Sequence, residues 1–235
     1  MRFENLSLLL QAVETEKLRL PFVWKAAKMG YDGNGVKIIR KREDLDYLTD
    51  QECMVEDLVP FTHELAVTVV RNPSGEVKTY PVVEMEFHPE ANQVEYVLCP
   101  ARIDDNIKEK ATQIALQVSN ALKHVGVLAV ELFLTEEGNI FVNEVAPRAH
   151  NSGHHTLETS ITDQFEQHIR AVLSLPLGNT DLIVAGVMVN LVGVEGHTGQ
   201  VHYNNIEKAL SMKGVSPHIY GKKQTRSFRK MGHVT

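Results

Sequence analysis

Apolar residues recur along the chain at two spacings, and these spacings predict a mixture of helices and strands. Apolar residues three and four positions apart predict helices over 5–17, 42–48, 104–124, 161–173 and 206–212. Short apolar or alternating runs predict strands over 21–25, 36–39, 53–59, 65–71, 77–84, 92–98, 127–134, 140–144 and 185–192. The expected fold class is α+β.

The composition is that of an ordinary soluble globular protein, with 43% hydrophobic and 23% charged residues. The formal net charge of -6 argues against a general nucleic-acid-binding surface. No segment approaches the roughly 20 apolar residues that span a bilayer, and the early run Leu8–Leu10 is too short for a secretion signal. Cys53 and Cys99 fit no metal or redox spacing. We therefore expect a cytoplasmic protein without nucleic-acid or membrane partners.

One predicted hairpin carries two carboxylates. Glu131 interrupts the apolar run 127–134, and Glu144 ends the returning run 140–144. A charged group in an apolar strand costs several kcal/mol unless it is paired or bound to a metal. Two facing carboxylates repel each other, and a divalent cation removes that repulsion. The hairpin therefore favours a metal site, with separate pairing of each glutamate to an Arg or Lys as the alternative.

The segment 143–155 directly follows this hairpin and combines several polar groups. It contains Glu144, Arg148 and three imidazoles, together with two amides and a hydroxyl. A carboxylate beside Arg and His suits a site that holds a divalent metal and an anion. The alternative is a polar turn after an edge strand.

Two other segments suit phosphate groups. Lys25 closes an apolar strand, and Gly30, Gly33 and Gly35 follow in a loop that leads to another strand. Such glycines let backbone amides approach a phosphate, although the order strand, loop, strand differs from a Rossmann or Walker site. Near the C-terminal end, five cations lie within residues 222–230 and suit a phosphate monoester. A plain hairpin and a solvated basic face are the respective alternatives.

The strand predicted over 53–59 suits a nucleotide base, because its backbone can form hydrogen bonds with an adenine edge. Glu56 and Glu64 are candidates to hold the base and the ribose hydroxyls of such a nucleotide. The alternative for each is an ordinary surface carboxylate.

Taken together, these segments resemble the ATP-grasp ligases, and among them the 5-(carboxyamino)imidazole ribonucleotide synthase family. The resemblance covers nearly the whole chain and rests on Lys25, the loop 30–35, the pair Glu131 and Glu144, the stretch 147–154 and the stretch 229–233. It implies an ATP-grasp domain over 1–175, partial at its N-terminus, and the start of a small β-rich C-terminal domain over 176–235.

The activity implied by the resemblance is ATP- and bicarbonate-dependent carboxylation of 5-aminoimidazole ribonucleotide through carboxyphosphate, in purine biosynthesis. Glu131 and Glu144 would bind Mg²⁺, with Mn²⁺ as an alternative, and Arg148, His150 and Asn151 would form the bicarbonate and carboxyphosphate pocket. The implied oligomeric state is a homodimer.

The resemblance also implies binding residues for both nucleotides. ATP would be contacted by Lys25, Gly30, Tyr31, Gly33, Gly35, Glu56, Asp57, Leu58, Val59, Glu64 and Asn143. The ribonucleotide would be contacted by Tyr31, Asp32, Lys222, Arg229 and Lys230. Asp32 would in addition handle the proton of the reacting amine.

Three departures from the family pattern are visible in the sequence. The Rossmann-like domain that precedes the ATP-grasp part in family members is expected to be missing. Asn34 stands where Lys or Arg is frequent, and Ser227 and Phe228 stand where Pro and Gly are frequent. Two other functions therefore stay open: an ATP-grasp ligase acting on biotin or glycinamide ribonucleotide, and a non-catalytic module that binds Mg-ATP.

Overall fold

The computed structural model describes residues 1–28, 35–88 and 93–235. The chain divides into two compact units, Met1–Pro60 with Pro89–Gln93, and Phe61–His88 with Val94–Thr235. No helix among the described residues is long and apolar enough to cross a membrane.

The described part of the first unit contains an antiparallel four-stranded sheet and one α-helix. Its elements are β1 (Arg2–Phe3), α1 (Leu6–Glu14), β2 (Phe22–Ala26), β3 (Val36–Ile39), a 3-10 helix (Arg42–Tyr47) and β4 (Cys53–Asp57). The strand order is β1-β4-β2-β3. Asn5 begins α1 by accepting a hydrogen bond from the backbone N–H of Leu8. Leu9 of α1 then lies in one apolar cluster with Phe22 and Trp24 of β2.

The second unit contains the remaining elements. Its strands are β5 (Phe61–Arg71), β6 (Val77–Thr79), β7 (Val83–Phe87), β8 (Val94–Cys99), β9 (Gly126–Thr135), β10 (Ile140–Ala146), β11 (Gly186–Val192), β12 (Gly199–Gln200), β13 (Pro217–Ile219), β14 (Gln224–Thr225) and β15 (Lys230–Val234). Its α-helices are α2 (Asp105–Leu122), α3 (Thr156–Thr159), α4 (Gln164–Val172) and α5 (Ile206–Ser211).

A nine-stranded sheet organises this second unit. The strand order is β10-β9-β5-β7-β8-β11-β15-β13, with β6 also paired to β5, while β12 and β14 form a separate pair. The C-terminal strand β15 therefore belongs to the same sheet as the hairpin β9–β10. The boundary at residue 175 stays a prediction.

The two faces of this sheet pack against different helices. Leu128 of β9 belongs to a cluster with Ala111 of α2, whereas the neighbouring Val127 belongs to one with Ala171 of α4. Because successive side chains of a strand point to opposite faces, α2 and α4 lie on opposite sides of β9. The face shared with α4 also carries Glu131, since residues 127, 129 and 131 alternate with the α2-facing positions.

Most predicted elements are present, with two local differences. The strand predicted over 77–84 is divided into β6 and β7, and Tyr80 and Pro81 lie between them; proline has no N–H with which to continue the ladder. The helix predicted over 42–48 is a 3-10 helix over Arg42–Tyr47 rather than an α-helix.

Candidate active site

The predicted pair of carboxylates lies in direct register across the hairpin β9–β10. Glu144 is the Cα partner of Glu131, and an irregularity between Val142 and Glu144 shifts the ladder by one residue. Without that bulge, Asn143 would stand opposite Glu131 and Glu144 would point to the other face. The bulge therefore brings both carboxylates to one face of the sheet.

Glu64 of β5 adds a third carboxylate to this face. Ala66 is the register partner of Glu131 and Glu64 the partner of Phe133, so Glu64 lies diagonally beside Glu131 on the same side. Burial, followed by the negative charge of Glu144, raises the pKa of Glu64 from 4.5 to about 7. Negative charge is thus concentrated on one face, with Glu131 buried and Glu144 exposed.

His150 lies against this carboxylate face. Its Nε2 is 3.4 Å from Glu131 Oε1, and its Nδ1 is 2.9 Å from the hydroxyl of Ser152. The backbone N–H of Ser152 also donates to Nδ1, at 3.3 Å. Because an N–H can only donate, Nδ1 accepts, and in a neutral ring Nε2 carries the proton that faces Glu131.

The other two predicted residues of this loop have different surroundings. Arg148 is exposed, and its guanidinium donates to the carbonyl oxygen of Ala149 at 3.0 Å. Asn151 is buried and exchanges two amide hydrogen bonds with Asn190 of β11, of 2.8 and 2.9 Å. The amide of Asn151 therefore anchors the loop to β11 while keeping one N–H that is not used in this exchange.

The first unit carries the other predicted nucleotide contacts. Lys25 Nζ lies 2.7 Å from Glu56 Oε2, with both side chains partly buried. Asp57 ends β4, and Leu58 and Val59 follow it outside the strand. The carbonyl oxygen of Gly35 accepts a hydrogen bond from the backbone N–H of Ala26 at 2.7 Å. Gly30, Tyr31, Asp32, Gly33 and Asn34 lie outside the described residues.

The predicted cations of the C-terminal segment are held by backbone carbonyl groups. Lys222 Nζ donates to the carbonyl oxygen of Lys230 at 2.6 Å, and Arg229 donates to that of Gln224 at 2.8 Å. Lys222 also lines a surface groove with Lys223, Tyr203 and neighbouring residues. The structure thus holds the ammonium group of Lys222 against the main chain of Lys230.

Ser227 and Phe228 occupy the two central positions of the turn that precedes Arg229. The N–H of Arg229 donates to the carbonyl oxygen of Arg226 at 3.0 Å, and Phe228 has a φ of 59°. This is the geometry of a turn whose two central positions favour Pro and Gly. Phe228 thus adopts a left-handed conformation at the position where the resemblance leads us to expect glycine.

Comparison with known proteins assigns the chain to a family. A profile of the ATP-grasp domain matches residues 4–165. The chain belongs to the ATP-grasp family. A profile of the phosphoribosylaminoimidazole carboxylase C-terminal domain matches residues 186–235. The resemblance that the motifs indicate is confirmed, as is the α+β ATP-grasp fold.

Individual relatives extend this result. The N5-carboxyaminoimidazole ribonucleotide synthase of Bacillus subtilis is 44% identical over 229 residues, which are 96% of this chain and 58% of the relative. The structure of N5-carboxyaminoimidazole ribonucleotide synthetase from Thermotoga maritima has a TM-score of 0.83 at 46% identity and covers 94% of this chain and 58% of its own. The chain therefore spans somewhat more than half the length of these ATP-grasp relatives.

A further related structure contains ligands. The N5-carboxyaminoimidazole synthase from Aspergillus clavatus, in complex with ADP and 5-aminoimidazole ribonucleotide, has a TM-score of 0.87 at 33% identity. The match covers 99% of this chain and 62% of the Aspergillus chain.

A histidine cluster of this ATP-grasp chain was not assigned a role from the sequence. The rings of His154 and His233 stack with centroids 4.8 Å apart, and those of His233 and His218 with centroids 4.5 Å apart. Burial and neighbouring positive groups lower the pKa of His154 to about 3, and burial lowers that of His233 to about 4. The three histidines lie far apart in the sequence. His218 and His233 face each other because β13 pairs with β15 in the register that makes them Cα partners.

The donor set of the carboxylate face suits a magnesium-type cation that is shared with a nucleotide. Within residues 1–28, 35–88 and 93–235, no group of three or more His, Cys, Asp and Glu is arranged to hold a metal by itself. Mg²⁺ commonly uses one or two carboxylates and completes its shell with phosphate oxygens and water. Glu131 and Glu144, in register on adjacent strands, fit that requirement.

Proposed function

We propose that the chain carries the reaction centre for ATP- and bicarbonate-dependent carboxylation of 5-aminoimidazole ribonucleotide. The product is 5-carboxyaminoimidazole ribonucleotide, an intermediate of purine biosynthesis. The observation that carries the proposal is the register of Glu144 with Glu131, next to His150. The names of the relatives from Bacillus and Thermotoga support the choice of reaction. The ADP and ribonucleotide named for the Aspergillus complex support the choice of ligands.

In this proposal Glu131 and Glu144 hold Mg²⁺ or Mn²⁺ together with the phosphates of ATP. The bound cation supplies neutralisation of the charge that builds on the transferring phosphoryl group. Lys25 contacts the phosphates, Glu56 and the segment 57–59 hold the adenine, and Glu64 holds the ribose. The glycines of the loop 30–35 and Asn143 complete the ATP contacts.

In this proposal the chemistry has three steps. A bicarbonate oxygen attacks the γ-phosphorus, ADP leaves, and the resulting carboxyphosphate breaks down to carbon dioxide and phosphate. The exocyclic amine of the ribonucleotide attacks the carbon dioxide and loses a proton, for which Asp32 is the acceptor. Arg148 and His150 donate hydrogen bonds to the bicarbonate-derived anion, and the N–H of Asn151 that Asn190 does not use can do the same.

The 5′-phosphate of the ribonucleotide is assigned to the C-terminal cations. The ammonium of Lys222 lies against the main chain of Lys230, and Arg229 offers a planar guanidinium that can bind two phosphate oxygens. Tyr31 and Asp32 contact the remainder of the ribonucleotide. We also assign the protein to the cytoplasm, as a homodimer.

The test combines nucleotide binding with turnover. Calorimetric titration with ATP and Mg²⁺ should show binding that is weakened at least about tenfold by Glu144→Gln. Glu136→Gln, in the exposed turn between β9 and β10, is the matched control and should bind as the unchanged chain does. ADP release with bicarbonate should depend on 5-aminoimidazole ribonucleotide and should be lost in Glu144→Gln.

Each negative result has a distinct meaning. Equal binding by Glu144→Gln and Glu136→Gln would refute the metal assignment. If the chain binds Mg-ATP but releases no ADP when bicarbonate and 5-aminoimidazole ribonucleotide are both present, it is a nucleotide-binding module and not a ligase centre. Release with another acceptor, such as glycinamide ribonucleotide, would replace the proposed substrate.

A further inference from the structure

Helix α4 presents two glutamine side chains to the protein and several apolar side chains to solvent. Gln164 and Gln167 are fully buried, whereas Phe165, Ile169 and Val172 are exposed. A surface helix normally has the opposite arrangement. The buried amides therefore need partners, because a buried amide without hydrogen bonds is costly.

Gln164 finds its partners in the loop of the proposed active site. Its Oε1 accepts from the backbone N–H of His150 at 2.9 Å, and its Nε2 donates to the carbonyl oxygen of His150 at 2.9 Å. The same Nε2 lies 2.9 Å from Nδ1 of His154. Gln167 makes an equivalent double hydrogen bond to the peptide groups of Gly178, at 2.8 Å each.

The orientation of the Gln164 amide follows from the backbone of His150. A backbone N–H can only donate and a carbonyl oxygen can only accept, so Oε1 and Nε2 of Gln164 cannot be exchanged. Nε2 of Gln164 must then donate to Nδ1 of His154, which must accept. The His154 ring, which burial keeps neutral, therefore carries its proton on Nε2.

The fit of Gln164 into the loop is close. A side chain on Gly153 would place its Cβ 2.5 Å from Oε1 of Gln164. Gly153 thus allows the amide to reach the main chain of His150. Thr156 also accepts from the backbone N–H of Gln164 at 3.0 Å, which fixes the start of α4 beside the loop.

We propose that Gln164 is a positioning residue of the proposed carboxylation site, because its amide holds the main chain of His150 and sets His154 as the Nε2–H tautomer. The part that concerns catalysis rests on the proposed function. The part that concerns His154 does not. Gln164 acts through the main chain of His150 and through the ring of His154, without touching a substrate.

The primary test reads the His154 tautomer by long-range ¹H–¹⁵N NMR on the full chain, with labelled histidine and no nucleotide. His154→Gln assigns the signals. The unchanged chain should show a protonated Nε2 and an unprotonated Nδ1. Gln164→Glu replaces the donor with a carboxylate that accepts, so His154 should move its proton to Nδ1 at pH 8. Gln164→Met removes both functions and should leave a mixture of tautomers.

Gln167→Glu is the matched control, because Gln167 is equally buried on the same helix and forms its double hydrogen bond with Gly178 instead of His150. It should leave the signals of His154 unchanged even if it lowers stability. The proposal fails if His154 carries its proton on Nδ1 in the unchanged chain. It also fails if both Gln164 variants keep the nitrogen shifts of the unchanged chain.

Turnover tests the catalytic part separately. Ribonucleotide-dependent ADP release should fall about tenfold further in Gln164→Glu than in Gln167→Glu. Equal losses in the two variants would reduce Gln164 to a structural residue. If the unchanged chain shows the expected tautomer but no carboxylation, the proposed function fails while the assignment of His154 stands.

Discussion

The partly buried carboxyl group of Glu64 allows a quantitative prediction about the stability of the chain as a function of pH. Its pKa is about 7 in the folded chain, against 4.5 for an ordinary glutamate. The folded state therefore binds this proton more tightly than the unfolded state. The resulting contribution to stability is fully present below pH 4.5 and is lost as the pH rises through 7.

The size of the effect follows from the two pKa values. They differ by about 2.5, and each unit corresponds to about 1.4 kcal/mol, so full ionisation of Glu64 costs about 3 kcal/mol at pH 8. Glu64→Gln keeps the shape of the side chain and never ionises. We expect its free energy of unfolding to exceed that of the unchanged chain by about 3 kcal/mol more at pH 8 than at pH 4.5.

The assay is urea unfolding in the presence of a chelator, followed by far-UV circular dichroism at pH 4.5, 6, 7 and 8. Fluorescence is unsuitable, because the single tryptophan, Trp24, lies in the first unit and Glu64 in the second. Glu136→Gln removes an exposed carboxylate from the β9–β10 turn and should give a constant difference. The raised pKa of Glu64 would be refuted if the free energies of unfolding of Glu64→Gln and of the unchanged chain differed by the same amount at every pH, or if their difference grew toward acid pH.

Two further substitutions test the packing of the second unit. Arg102→Met removes the two hydrogen bonds that the guanidinium donates to the buried Glu84, while the bond from the backbone N–H of residue 102 remains, and urea unfolding should show a loss of about 2 kcal/mol. Gly126→Ala should lower the free energy of unfolding by about 2 kcal/mol, because Gly126 has a φ of 102° and its new Cβ would lie 2.7 Å from the ring of His168.

Each of these two substitutions has a control in the chain. Glu86 pairs with the same guanidinium but is exposed, so Glu86→Gln should cost less than about 1 kcal/mol. Gly214 has a φ of 78° and nothing within 4 Å of an added Cβ, so Gly214→Ala isolates the backbone cost. If Glu86→Gln lowered the free energy of unfolding as much as Arg102→Met, the burial of Glu84 would not be the cause of the loss. If Gly214→Ala lowered it as much as Gly126→Ala, the contact with His168 would not be the cause.

Much of the fold could be predicted from the sequence because its hydrophobic patterns are local. The long helix α2 and the hairpin β9–β10 were both expected, and both are present. The division of the strand over 77–84 at Pro81 was missed, although proline offered a signal. The order of strands in the large sheet could not be predicted, because it depends on pairings between distant segments.

The candidate site was predictable in part for the same reason. Glu131 and Glu144 were expected on one face, but a regular ladder would have separated them, and only the bulge at Asn143 produces that result. Glu64 was considered with the strand over 53–59, whereas the register places it beside Glu131. Gln164 gave no signal, because a glutamine in a helix usually faces solvent.

The arrangement of α4 and of the carboxylate face reflects one physical requirement. A functional site places polar groups away from water or close to groups of like charge. Each such group needs a specific partner, and without one it lowers the stability of the fold. Gln164 meets that requirement through the main chain of His150, whereas burial and the charge of Glu144 raise the pKa of Glu64, so its ionised form carries a cost in stability. A cation shared by Glu131 and Glu144 would lower that cost, because its charge favours the ionised form of Glu64. Binding of the nucleotide and its metal should therefore stabilise this unit most at the pH where the carboxylates are ionised.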